Sequence, residues 1–301
     1  MIKRTLHIGN PCTLRRREQQ LVLHYPTELG LEDKSVPIED IGVLILDHER
    51  VVITQMLLAA LLANNVAVIT CNEQHMPTGL LLNLDGHTTQ TEIFKAQLEA
   101  SEPLRKNLWM QTVQAKLRNQ ADVLEEAGTP GDTLREHARN VRSGDPDNLE
   151  ARGAAHYWRF LFPPAMQFVR HRTGPPPNNL LNYGYAILRA VVARNLVGSG
   201  LLPTYGIHHR NKYNAYCLAD DIMEPYRPWV DRLVWQLVVT ERLDGAELTN
   251  ALKGRLLSLP AMDVLIDGKR SPLLVAAQRT TATLAQCFHG EQRRVLYPER
   301  P

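Results

Sequence analysis

Cysteine is scarce and scattered. The four are Cys12, Cys71, Cys217 and Cys287. They form no CxxC pair, so neither a zinc ribbon nor a disulfide framework is expected, and a reducing cytoplasm fits. Long hydrophobic runs are lacking as well. The most apolar stretch, Met56 to Ile69, is broken by Asn64-Asn65 and is too short and too polar to span a bilayer. No apolar segment follows Met1-Ile2-Lys3-Arg4 to make a secretory leader. A soluble cytoplasmic protein with no membrane partner is expected. A large net charge is missing too: 34 Lys and Arg against 32 Asp and Glu leave a formal +2. Binding of nucleic acid over the whole surface would need a more basic chain, so any such binding must be local.

What is present is enough for a real core: 44% hydrophobic and 22% charged residues over 301 positions, the material of one or two domains. The first ~85 residues read as β. Short runs recur at Thr5 to Ile8, Leu21 to Tyr25, Gly42 to Leu46, Val66 to Thr70 and Leu80 to Leu84, with turn residues such as Gly9-Asn10-Pro11 between them. Thr54 to Ala63 is the one helical exception, with Thr54 placed to cap it. Residues 86–91 (GHTTQT) are polar and patternless, a linker. From Glu92 apolar residues recur at three- and four-residue steps, as in Ile93, Leu104, Leu108, Val113, Leu117 and Val123. The expectation is an α+β protein: a small β-rich domain over 1–85, then a larger all-α domain over 92–301.

The strongest signal is a charge asymmetry. From Ala151 to Ala219 there is no Asp or Glu, while Arg152, Arg159, Arg170, Arg172, Arg189, Arg194, Arg210 and Lys212 remain. Glu150 stands before this window, and Asp220, Asp221 and Glu224 follow it. Removing carboxylates and keeping cations suits a phosphate surface; a merely basic solvated face is an equal reading. Tyr157, Trp158, Phe160, Phe162, Phe168, Tyr183 and Tyr185 are interleaved. Core packing accounts for such aromatics more often than base stacking.

Phosphodiester chemistry needs a strong nucleophile and relief of charge on the phosphate oxygens, both of which a divalent cation supplies. Three places beside the window offer ligands for Mg²⁺ or Mn²⁺. Glu150 follows Asp147-Asn148-Leu149 and can equally be the N3 carboxylate of a capping box with Asp147 at the N-cap. His208 and His209 follow Gly206-Ile207, where a surface histidine with no role is the commoner outcome. On a helix Asp220 and Asp221 each share a face with Glu224, a repulsive stacking that a cation relieves.

In combination these stretches resemble the universal adaptation nuclease family, the spacer-acquisition integrases of CRISPR systems. The matching segments are Asn148 to Tyr157 (NLEARGAAHY), Leu181 to Tyr185 (LNYGY), Gly206 to His209 (GIHH) and Leu218 to Asp231 (LADDIMEPYRPWVD), with Val36 to Ile41 in the β part. The form GIHHRNKYNAY, Gly206 to Tyr216, looks like the type II variety. The resemblance implies Glu150, His209 and Glu224 as catalytic metal ligands, with Asp221, Asp220 and His208 as auxiliary groups. The family's motif usually has Gly, two apolar residues and then His, and His208 stands here at the second apolar place. The resemblance further implies a homodimer, with dimerisation expected through the β-rich domain and catalysis and DNA binding in the helical one, and a small CRISPR-associated partner bridging two dimers. The DNA partners would be a duplex with splayed ends and CRISPR repeat DNA, with the RNA-guided effector as a further partner. The implied reaction is attack of a DNA 3′-hydroxyl on a repeat phosphodiester. The contrasting reading is a catalytically silent DNA-clamping subunit.

Overall fold

The computed structural model describes residues 3–300. Eight strands and one helix come first: β1 (Arg4–Ile8), β2 (Cys12–Arg17), β3 (Gln20–His24), β4 (Lys34–Pro37), β5 (Ile41–Leu46), β6 (Val51–Ile53), α1 (Gln55–Ala63), β7 (Ala67–Cys71) and β8 (Pro77–Leu81). They make two four-stranded sheets, ordered β1-β5-β7-β8 and β4-β3-β2-β6. In the first, β1, β5 and β7 are parallel and β8 returns antiparallel. The strands β5 and β7 are apolar on both faces because each face meets a different core. Leu44 and Val68 pack with Leu14, Leu21, Leu57 and Leu61 between the sheets and α1. Val43, Ile45, Ala67 and Ile69 join the core of the helical part. A fully buried side chain of this size contributes about 1.5–3 kcal/mol by transfer, so the sheet is a shared wall rather than the edge of an independent unit.

The linker expected at 86–91 falls where no strand or helix occurs until α2 begins at Gln90. The helices are α2 (Gln90–Leu98), α3 (Glu102–Glu126), α4 (Asp132–Asn140), α5 (Leu149–Leu161), α6 (Asn178–Gly198), α7 (Cys217–Met223), α8 (Arg227–Trp235), α9 (Asn250–Leu256) and, last, α10 (Leu273–His289). The all-α expectation needs one correction: β9 (Asp263–Ile266) and β10 (Lys269–Pro272) form an antiparallel hairpin before α10. Asp267 and Gly268 both have positive φ, 53° and 68°, the two-residue turn that an Asp-Gly pair favours. The run from Glu92 also divides, since Ser101 caps α3 by accepting from the Leu104 amide at 3.3 Å. Long α3 and α6 are the spine of the helical part. A Cβ on Gly153 would lie 2.2 Å from Leu117 Cδ2; only glycine lets α5 approach α3 this closely, and that approach carries Glu150 to the middle of α3. Among the described residues no helix is long and apolar enough to cross a membrane.

Candidate active site

Glu150 enters from the first turn of α5, but it is not a capping residue. The Leu149 and Glu150 amides donate to the two oxygens of Asp145, each at 2.9 Å. Asp147, expected at the N-cap, instead holds Arg142, and Asn148 takes the N-cap place with a left-handed backbone. With the orphan amides satisfied by Asp145, the Glu150 carboxylate is free to point at α3. There it meets the ammonium of Lys116. The same Nζ lies 2.6 Å from Glu224 Oε2, and Arg227 Nε lies 2.8 Å from the other Glu224 oxygen. Lys116 and Glu224 are buried, and Glu150 remains partly open to solvent. Burial disfavours charge on Glu224, yet Arg227 and Lys116 outweigh it and hold its pKa below the ordinary glutamate value. Burial likewise opposes the Lys116 ammonium, and Glu224 and Glu150 raise its pKa all the same.

The two histidines lie on the loop between α6 and α7. The buried Gln97 side chain pins this loop through Leu202 and Tyr205. At Gly206 a Cβ would lie 2.4 Å from the His209 carbonyl and 2.7 Å from Asp221 Oδ2. The turn therefore needs glycine, and it folds the histidines onto α7. Asp221 then accepts three hydrogen bonds: from the His208 amide at 2.9 Å, the His209 amide at 3.2 Å and the His209 ring Nδ1 at 2.5 Å. A carboxylate only accepts, so Nδ1 carries the proton and the neutral ring keeps its lone pair on Nε2. The Asp221 hydrogen bond raises the His209 pKa. His208 turns away and stacks on Trp109 of α3, ring centroids 4.1 Å apart. Asp221 is thus an organiser of the histidine loop. Asp220 is bound bidentately by Arg189 at 2.6 and 3.0 Å and also accepts from Asn214.

The basic window divides by burial. Arg152, Arg159, Arg172, Arg210 and Lys212 are exposed. Arg170 is half-buried and holds Asn178 and Asn182, and Arg189 is engaged with Asp220. Arg194 corrects the expectation: it is 6% exposed and is spent on the Asn65 carbonyl and Asn195. It ties α6 to the end of α1 and presents nothing to phosphate. Of the aromatics, Tyr157, Phe162, Tyr183 and Tyr185 are buried and Phe160 is exposed. Lys116, Arg227 and Trp109 are the site residues that sequence reasoning missed. Lys116 does carry a signal, a lysine in the apolar stripe Trp109, Val113, Lys116, Gln120 and Val123 of α3.

Glu150 and Glu224 converge on one cation. This pair of hard oxygen donors, with the His209 Nε2 lone pair nearby in the loop that Asp221 orients, is chemically suited to Mg²⁺ or Mn²⁺. In the present arrangement the cation at the convergence point is an ammonium. Among the described residues no group of three or more His, Cys, Asp or Glu side chains is arranged to hold one ion.

Comparison with known proteins shows the family and the fold. The family model described as CRISPR associated protein Cas1 matches residues 6–267. A CRISPR-associated endonuclease Cas1 from Neisseria meningitidis serogroup C (strain 8013) is 38% identical over 285 residues, covering 94% of this chain and 91% of the relative. Among solved structures, a casposase bound to integration product superposes with a TM-score of 0.79 at 19% identity, covering 98% of this chain and 92% of that one. A Cas6-RT-Cas1–Cas2 complex superposes with a TM-score of 0.74 at 18% identity, covering 97% of this chain and 35% of that one. At such identities the two structures speak for the fold.

Proposed function

The chain belongs to the Cas1 family of CRISPR-associated proteins, and from that premise we propose that it is a metal-dependent DNA endonuclease and integrase that inserts spacers into a CRISPR array, of the type II variety. The observation that carries this reading is the convergence of Glu150 and Glu224 on a single cation, together with the His209–Asp221 pair and the exposed arginines of a stretch of sequence that lacks acids. Held by Glu150, Glu224 and His209, a divalent ion would supply Lewis acidity at a phosphodiester.

The chain's own residues do the rest. Arg227 keeps Glu224 ionised in a buried place. Asp221 fixes the tautomer and direction of His209, and Asp145 holds the α5 terminus that presents Glu150. Arg152, Arg159, Arg172, Arg210 and Lys212 position phosphates without reading bases, which suits an enzyme that accepts arbitrary sequences. An attacking 3′-hydroxyl forms one phosphodiester bond as another breaks; water in its place gives cleavage. The partners would be a duplex with splayed ends, repeat DNA, a second copy of this chain and a small Cas2-like protein bridging two dimers.

One observation favours a catalytically silent DNA clamp: an ammonium already stands between the two carboxylates. A single assay separates the readings. A duplex with free 3′-hydroxyls is incubated with a repeat-bearing plasmid, the protein, a Cas2-like partner, and Mn²⁺. Joined product from the parent and none from Glu150→Gln supports the integrase. Equal DNA binding without joined product from either chain supports the clamp.

A further inference from the structure

Lys116 has no evident structural need to be where it is. Arg227 already neutralises Glu224, and Glu150 is open enough to be solvated alone. The lysine nevertheless comes out of the apolar face of α3 and places its Nζ against both carboxylates. The charges then close: Lys116 and Arg227 against Glu150 and Glu224 sum to zero with no ion bound. A divalent cation added to these oxygens would meet an ammonium at the same point, and two like charges cannot share it. The long methylene stem allows the ammonium to leave without moving the helix.

We propose that Lys116 is the resident counter-cation of the metal-free centre and exchanges with the divalent ion at Glu150 and Glu224. This rests on the functional reading above and adds to it. The ammonium keeps the two carboxylates together and charged before an ion arrives, so the ligands are assembled in advance. It also competes with the ion for the same oxygens, which lowers the apparent affinity. Once displaced, the ammonium is a cation without a partner beside the reaction centre, and a phosphate of bound DNA is the group that fits it. Metal and DNA then favour each other's binding, and the coupling is reciprocal.

The test uses the whole chain and the metal alone. Mn²⁺ binding by calorimetry and melting temperature with and without EDTA are measured for the parent, Lys116→Met and Lys116→Gln. Removing a competitor bound to the same oxygens should tighten Mn²⁺ binding about tenfold in both variants. Their metal-free forms should melt lower than the parent, and Mn²⁺ should restore them by more than it raises the parent. Binding as weak as the parent's, or weaker, would show that the ammonium supports the ion and would overturn the exchange while leaving the metal reading intact. Absence of Mn²⁺ binding in all three proteins would overturn both. Should neither variant fold, acylation of Lys116 in the parent, followed by mass spectrometry, decides: labelling that rises with Mn²⁺ supports displacement, and unchanged labelling refutes it.

Discussion

The ring of His208 lies flat on the indole of Trp109, centroids 4.1 Å apart and planes within 4°, while its neighbour His209 meets the same indole edge-on at 84°. Adjacent residues are thereby given different work. His209→Ala should abolish Mn²⁺-dependent strand transfer, because it removes the imidazole whose Nδ1 is held by Asp221. Without metal it should also lose stability, since the buried Asp221 loses a hydrogen-bond donor and Trp109 loses an edge-on ring. His208→Ala should keep most activity and lose stability, by about the 0.5–1.5 kcal/mol that a stacked ring pair contributes. Strand-transfer rates and thermal melts of both variants check this; the reverse pattern would assign the ligand to His208.

Asp145 and Glu150 separate in the same way. Asp145 holds two amides of α5, so Asp145→Ala should cost about 0.5–2 kcal/mol of stability, the range for loss of an N-cap. Glu150→Ala should lower the metal-free melt as well, because it takes one of two carboxylate partners from the buried Lys116 ammonium, and it should raise DNA affinity slightly by removing a carboxylate beside exposed arginines. It should give no joined or cleaved DNA. Chemical denaturation alongside a nuclease assay distinguishes the two; full activity in Glu150→Ala would end its catalytic role.

Much of the fold could be read from residue types alone, whereas the ligand set of the site came from the family resemblance, and the parts that were not legible have identifiable causes. The runs at Gly42–Leu46 and Val66–Thr70 are strands because both their faces are apolar. Strand β2 escaped notice because its end, Arg15-Arg16-Arg17, is exposed while only Cys12 and Leu14 are buried. The β9–β10 hairpin was missed because its strands are short and one reads Lys-Arg-Ser-Pro, although Asp267-Gly268 between them is a hairpin-turn pair. Arg194 directly follows Ala190-Val191-Val192-Ala193, an apolar run that marks a buried arginine better than a basic window does. Lys116 pairs across 34 residues with Glu150, a separation no local pattern reports.

The homodimer contact is expected on the N-terminal sheets. Strand β6 is an unpaired edge, and Val52 there and Met56 on the adjoining first turn of α1 are 58% and 60% exposed. Cutting the chain after residue 85 would expose the helical-core face shared with Val43 and Ile69, so the test belongs on the intact protein. Val52→Glu with Met56→Glu should convert the dimer to monomer in light scattering. Leu84→Glu, at a position 92% exposed in the connecting stretch, should leave it dimeric. A dimer that survives the double substitution would place the contact elsewhere.

The last prediction concerns Asp231, which is buried behind the site. Burial lifts its pKa to about 7, against the opposing pull of the Tyr185 hydroxyl that donates to it and of Arg227. Arg227 and Arg170 lie over the Tyr185 ring, 4.7 and 5.3 Å from its centroid, so these are the charges that face the pair. A carboxyl whose folded pKa is raised takes up protons on folding. Its contribution to stability is therefore full below the unfolded value, near 4, and is lost as pH rises through about 7. Asp231→Asn mimics the protonated form and removes this dependence. The variant should melt close to the parent at a pH of about 5 and gain on it as pH rises, by at most about 1.4 kcal/mol of stability per pH unit, the slope for one proton. Thermal melts of both proteins across that range measure the gap directly. A gap that stays constant with pH would mean that Asp231 remains ionised throughout and is held as the partner of Arg227.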